Sequence, residues 1–333
     1  MNVENRIERN IGIDLLKAFA CYLIVSIHTI DGTLGWFHRL IVVTTTIGIP
    51  IFVTTSGLFV LGKQQVTYRY VFSKIVRIHL VCLSWELLYS IALFLVKQTW
   101  RPFLMSFILD FFQKGLFFHF WYLGAIILLY LLSPMVHKLL RTNFRLYLLM
   151  TGCLGSLNIS LDVAQFFVGE QFLLRLIQTL RLWTWLFYFM CGGAIFVLGK
   201  QKSQKTDKTL IGVGIAAYLL MVICLLCGRR FVFGNLIIEG YYGGFPVMLL
   251  VICCVCLFYR MPIPNSKLSK LANYNMGIYI VHPFVLSILG HFLPALTSGK
   301  LINLLFAPLV YLVSLGITMA IQKIPVLKYL VKM

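Results

Sequence analysis

The sequence predicts an all-α polytopic membrane protein of about ten transmembrane helices with both termini cytoplasmic. Three observations predict it. Of the 333 residues, 60% are hydrophobic and only 12% charged, with a mean hydropathy of +0.91, whereas soluble domains run at roughly 45–50% apolar and 25% charged. Apolar runs long enough to cross about 30 Å of hydrocarbon recur along the whole chain. The 29 Lys and Arg are also distributed unequally between alternate loops. This composition excludes a cytosolic enzyme, a disordered chain and a secreted disulfide scaffold.

The runs fall at about 11–30, 40–62, 72–96, 121–140, 145–162, 181–199, 209–227, 241–259, 272–293 and 303–322, a single membrane domain over residues 1–333. The fifth is short and carries Gly152, Gly155 and Asn158, and the third contains Glu86. With the N-terminus inside, nineteen of the 29 cations lie on the inner side and nine on the outer, with Lys17 inside the first span. The net charge of +19 is therefore topological and predicts a lipid bilayer rather than nucleic acid as partner. Glu4 and Glu8 precede the first span and no small-residue cleavage site follows it, so that span is expected to remain as an anchor.

No loop is long enough for a second soluble domain. The outer segment 97–120 carries Phe103, Phe107, Phe111 and Phe112, a helical stripe suited to the membrane surface. The nine cysteines fall in or beside the spans; Cys224 and Cys227 have a ligand-like spacing but no second pair completes a zinc set, so no metal is expected.

An ionisable side chain deep in a span costs about 2.5–3.5 kcal/mol on insertion scales and needs a partner or a task. The first span holds Asp14, Lys17 and His28, the third His79 and Glu86, the fourth opens at His119, and the ninth carries His282 and His291. Lys17 and His28 are eleven residues apart, three helical turns plus about 20°, so one face carries them at a separation of roughly 16 Å. That stripe suits a tunnel wall; the plainer alternative is an interfacial Asp14–Lys17 pair and a packed His28. In the second span, Pro50 and Gly57 weaken the helix, and Thr54, Thr55 and Ser56 can repair it or line a cavity. Lys63, Arg69, Lys74 and Arg77 place four cations on the next inner loop, and Lys74 and Arg77, three residues apart, share a face that suits phosphates.

Taken in order, these elements resemble the membrane-bound acyltransferase family 3. Lys17, ten residues and His28 resemble the family's opening motif, with Lys17 where arginine is usual; the cation is kept but the planar fork is not. The segment Pro50 to Phe59, the pair Lys74 and Arg77, the run His119-Phe120-Trp121-Tyr122-Leu123 followed by Ser133-Pro134, and Gly277 to Pro283 are similar to the family's later motifs. The ten-span plan is similar too.

The resemblance implies an integral membrane O-acyltransferase of the bacterial inner membrane. It would move an acetyl group from cytosolic acetyl-CoA, a co-substrate rather than a resident cofactor, to a sugar hydroxyl of a surface polysaccharide. O-antigen or lipopolysaccharide, or a lipid-linked precursor, are the acceptors it implies. His28, Lys17 and Asp14 are the candidate catalytic residues, and Lys63, Lys74, Arg77 and Ser56 the candidate acyl-CoA contacts. His28 either deprotonates the hydroxyl or carries the acyl group itself. His119, Trp121, Tyr122 and His282 are secondary candidates for the thioester, its oxyanion or the sugar, and Glu86 either orients a histidine or pairs with Lys17 or Arg77. A polysaccharide or lipid-linked sugar transporter is the alternative, although no second copy of the Lys17–His28 or Pro50–Gly57 pattern marks an internal repeat.

Overall fold

A computed structural model describes residues 9–100, 102–199, 204–229, 233–234, 238–263 and 267–331. Arg6, Arg101, Lys200, Lys202, Arg230 and Lys332 of the charge count, with Glu4 and Glu8, lie outside the described residues. The described chain is helical throughout, with no strand. The helices are α1 Ile11–Thr29, α2 Trp36–Thr45, α3 Gly48–Leu61, α4 Tyr68–Lys97, α5 Phe103–Asp110, α6 Trp121–Thr142, α7 Phe144–Val168, α8 Leu182–Leu198, α9 Gln204–Ile223, α10 Phe245–Arg260, α11 Asn275–Phe292 and α12 Lys300–Lys323. Short 3-10 turns link several of them. Eight helical stretches among the described residues are long and apolar enough to span a bilayer, and α8 and α10 are shorter apolar helices of 17 and 16 residues. This is a polytopic membrane architecture.

Side chains set the helix starts. The Asn10 and Asn143 Oδ1 atoms accept from the amides of Ile13 and Leu146, each at 2.9 Å, and Thr67 Oγ1 accepts from Tyr70 at 3.3 Å, which satisfies amides that a first turn leaves free. Gly169, at φ +72°, ends α7 in the left-handed conformation that glycine tolerates. Pro134 inside α6 lacks the N–H that would reach the Tyr130 carbonyl, and the Ser133 hydroxyl takes that carbonyl instead at 2.7 Å.

The second span is broken four residues earlier than its proline suggests. A turn at Thr46–Ile47 separates α2 from α3, and Pro50 sits in the first turn of α3, where no N–H is required. Thr54 and Thr55 bond back to the carbonyls of Pro50 and Phe52 at 2.8 and 3.1 Å rather than lining a cavity. Gly57 serves packing. A Cβ there would stand 2.0 Å from the Phe189 carbonyl of α8, and one on Gly192 would stand 2.0 Å from the Thr54 carbonyl, so the two backbones meet where only glycine fits.

The aromatic stripe at 103–112 does not lie wholly on a surface. Phe107 and Phe111 pack inward, 5.8 and 5.6 Å from the His79 ring on α4, while Leu104, Met105 and Ile108 face out. Beyond them the buried Asp110 carboxylate receives the Phe117 amide at 2.8 Å and shapes the entry to α6. On the same side of the bundle, the buried Arg181 guanidinium gathers the carbonyls of Leu173, Leu176 and Glu239 at 2.5, 3.0 and 2.8 Å, fastening the connections before α8 and α10.

Candidate active site

A cavity of about 280 Å³ opens between α1, α3, α4, α6 and α11. Lys17, Cys21 and Ile24 supply one wall from a single face of α1, spaced four and three residues apart. Ser56 and Phe52 come from α3, Lys74, Arg77 and Ile78 from α4, and Tyr122, Ile126 and Tyr130, successive turns of one face, from α6. Asn275, Met276 and Tyr279 close it from α11. Five sequence candidates thus share one cavity: Lys17, Ser56, Lys74, Arg77 and Tyr122.

Three cations, Lys17, Lys74 and Arg77, line the cavity. Among the described residues, Lys17, Lys63, Lys74 and Arg77 take part in no ion pair. Lys63 does not line the cavity, but its Nζ stands 4.9 Å from the Tyr70 ring centre, and Lys74 Nζ stands 6.0 Å from the same ring, so one aromatic face holds two mouth cations near each other. Lys17 Nζ lies 5.5 Å from the Phe59 ring centre, deeper in the bundle. Unpaired cations on low-dielectric walls are suited to a polyanionic ligand, which supplies the missing counter-charge.

The cavity ends one turn short of His28. Ile24 lines it and His28 does not. Tyr122 and Tyr279, whose ring centres are 5.8 Å apart, line this end, and the Tyr279 ring lies 6.3 Å from that of His282. Behind this aromatic end lies a cluster of imidazoles: His28 to His282 at 5.4 Å, and His282 to His119 at 5.7 Å between ring centres. The His119 carbonyl accepts the Tyr279 hydroxyl, which ties the cluster to the cavity wall. His119 and His282 are buried, whereas His28 is half-buried. Three residues beyond His28, the amide and hydroxyl of Thr33 hold the half-buried Asp31 carboxyl below the usual carboxylate range.

The model of the acyltransferase domain of family 3 matches residues 10–323. The chain belongs to acyltransferase family 3. The matched region takes in the cavity and the imidazole cluster alike. The chain is also 26% identical over 317 residues to a protein of Enterococcus faecalis named amino-acid racemase; the match covers 87% of this chain and 43% of that protein. The chain therefore spans less than half the length of that relative. No solved structure matches it.

Several candidates of this family member stand apart from the cavity. Asp14 pairs with Arg9 at 2.6 Å rather than with Lys17, and Arg9 continues to the Ser269 carbonyl at 3.2 Å, so Asp14 ties the start of α1 to the α10–α11 connection. Glu86 is fully buried in α4, and neither of its oxygens has a hydrogen-bond partner among the described residues; it pairs with neither Lys17 nor Arg77. Trp121 packs against Trp185 of α8, with ring centres 5.3 Å apart, and belongs to the helix interface.

Other groups were not singled out by sequence reasoning. Tyr130 and Cys21 were legible as members of the faces carrying Tyr122 and Lys17. Tyr279 lies inside the Gly277–Pro283 segment, while Asn275 and Met276 have no such signal and enter through the packing of α11 against α1. On α6, His137 meets the Lys63 carbonyl at 2.9 Å, and Arg141 reaches the same carbonyl at 2.9 Å.

Proposed function

We propose that the enzyme transfers an acetyl group from cytosolic acetyl-CoA to a sugar hydroxyl of a bacterial surface polysaccharide or its lipid-linked precursor. It would be a member of the kind that acetylates an O-antigen or the enterobacterial common antigen, working in the inner membrane with its basic loops inside. The observation that carries the reading is the cavity that joins the unpaired cations Lys74 and Arg77 to Lys17 and ends against the imidazole cluster. The nucleotide phosphates of coenzyme A match the mouth cations, and its long, mostly neutral pantetheine arm matches the narrow interior lined by Ile24, Phe52 and Ile126. The thioester then lies at the tyrosine pair, with Ser56 and the Tyr122 hydroxyl as hydrogen-bond donors beside it and Lys17 as a cation on the approach.

His28 serves as general base. It is the half-buried member of its cluster, and the acceptor hydroxyl reaches it from the side opposite the donor. Inner-face Lys and Arg support the assumed orientation.

The test is chemical. Purified enzyme in bilayers receives acetyl-labelled acetyl-CoA and candidate glycans. The expected product is glycan carrying label that mild base releases as acetate, the behaviour of an O-ester. Label in no glycan with any acyl-CoA, alongside intact folded protein, would contradict the reading.

A further inference from the structure

The imidazole cluster contains a ring whose hydrogen-bonding state is set by the backbone. Pro283 follows His282 in α11 and lacks the N–H that would reach the Tyr279 carbonyl, so the helix is locally short of donors. One turn back from His282, the Ile278 carbonyl lies 3.1 Å from the His282 Nδ1. A carbonyl only accepts, so Nδ1 carries the hydrogen, and in the neutral ring Nε2 is left as a bare acceptor. That Nε2 is buried and has no hydrogen-bond partner among the described residues. Buried polar atoms of this kind are rare in folded proteins and call for a donor.

The nearby donors are imidazoles. His28 lies 5.4 Å away between ring centres with the planes 30° apart, and His119 lies 5.7 Å away with the planes 68° apart. Tyr279 faces the cluster from α11, but its hydroxyl is committed to the His119 carbonyl, and Phe118 covers His28 from the other side at 6.1 Å. Among the described residues none of the three histidines takes part in an ion pair. The half-buried His28, the nearer of the two rings, is therefore the one whose single N–H the His282 Nε2 can receive after a small rotation.

We propose that His282 is a positioning residue that accepts a hydrogen bond from one nitrogen of His28 and so holds the other nitrogen unprotonated toward the acceptor hydroxyl. The proposal rests on the reading of His28 as the base. It places a neutral imidazole where a base of this type commonly has a carboxylate. In the transfer, the free His28 nitrogen takes the hydroxyl proton as the oxygen attacks the acyl carbon. The new O–C bond forms, the C–S bond breaks, and the electron pair leaves on the coenzyme sulfur as thiolate. The proton on His28 then passes to that thiolate, which restores the neutral base. Throughout, His282 Nε2 holds the opposite N–H of His28 and shares the transient positive charge.

Two variants separate positioning from packing. His282→Gln keeps an acceptor but loses the ring; His282→Phe keeps the ring and its packing but loses the acceptor. With folding verified by thermal melts, kcat is expected to fall less than about tenfold for His282→Gln and about a hundredfold or more for His282→Phe, with KM for both substrates nearly unchanged. Added to His28→Ala, His282→Phe is expected to cause no further loss, because it acts through His28. A kcat for His282→Phe at or above that of His282→Gln overturns the proposal, as does a full additional loss in the double variant.

Nitrogen-15 spectra of the histidine-labelled protein in bilayers decide the point without turnover. One tautomer of His28 is expected in the wild type and in His282→Gln, and exchange between tautomers in His282→Phe. An unchanged His28 signal in His282→Phe overturns the proposal. A wild type that acylates no glycan instead overturns the underlying functional reading, which these spectra leave separate.

Discussion

The His137 imidazole meets the main-chain carbonyl of Lys63 at 2.9 Å, which joins the last turns of α6 to the connection between α3 and α4. Arg141, one turn on, reaches the same carbonyl, and the connection so held carries a cation to the Tyr70 ring at the cavity mouth. A histidine far from the imidazole cluster thereby helps to fix where a polyanion is received.

Loosening that contact is expected to weaken donor binding without slowing the chemistry. His137→Ala removes one buried hydrogen bond, and a single such bond contributes about 0.5–1.5 kcal/mol. A rise of roughly two- to tenfold in KM for the acyl-CoA, with kcat unchanged, is the expected result of steady-state kinetics.

Lys74→Gln and Arg77→Gln test the phosphate contact directly. Charge-assisted bonds contribute about 1.5–3 kcal/mol, so each variant is expected to raise KM for acetyl-CoA about tenfold or more. Acetyl-pantetheine, which lacks the nucleotide phosphates, is expected to be used equally by wild type and variants. An equal loss with both donors would assign the pair to folding or topology.

Lys17, a cation on the cavity wall, admits a test of charge against shape. Lys17→Arg is expected to retain activity within about tenfold, and Lys17→Met to lose about a hundredfold or more while remaining folded, since removing a buried cation does not cost the bundle a paired partner. Initial rates together with thermal melts of the three proteins check both halves of this expectation.

The crossing of α3 and α8 predicts a stability effect unconnected with the cavity. Gly57→Ala and Gly192→Ala each place a Cβ 2.0 Å from a carbonyl oxygen of the facing helix, and such overlap costs about 1–3 kcal/mol or more. Gly152→Ala, with nothing within 4 Å of the new atom, is the control and is expected to leave the melting temperature unchanged.

What the sequence reveals and conceals follows from range. The Lys17, Cys21, Ile24 and His28 series and the Lys74–Arg77 pair are local spacings on single helices, and the structure sets all but His28 into one cavity. The ten apolar runs correspond to eight long and two short apolar helical stretches, because burial in hydrocarbon demands continuous apolar length that a sequence displays openly. The pairings are not local. Asp14 stands one turn from Lys17 on α1, yet its partner is Arg9, since the chain before the helix folds back to Ser269. Gly57 reads equally as a kink or a close approach until α8 is placed against it. Tyr279 enters the site through the packing of α11, and no spacing relates it to α1 or α6.

The central claim is that an acyl group passes from a donor received at Lys74 and Arg77 to an acceptor activated by His28 at the far end of α1. Proteoliposomes of one orientation, with labelled acetyl-CoA on the Lys74 side only and a membrane-impermeant glycan on the other side only, test it most directly. The account expects label on the glycan in the wild type and none with His28→Ala inserted and folded to the same extent. Transfer that requires donor and glycan on the same side, or that survives His28→Ala, would contradict it.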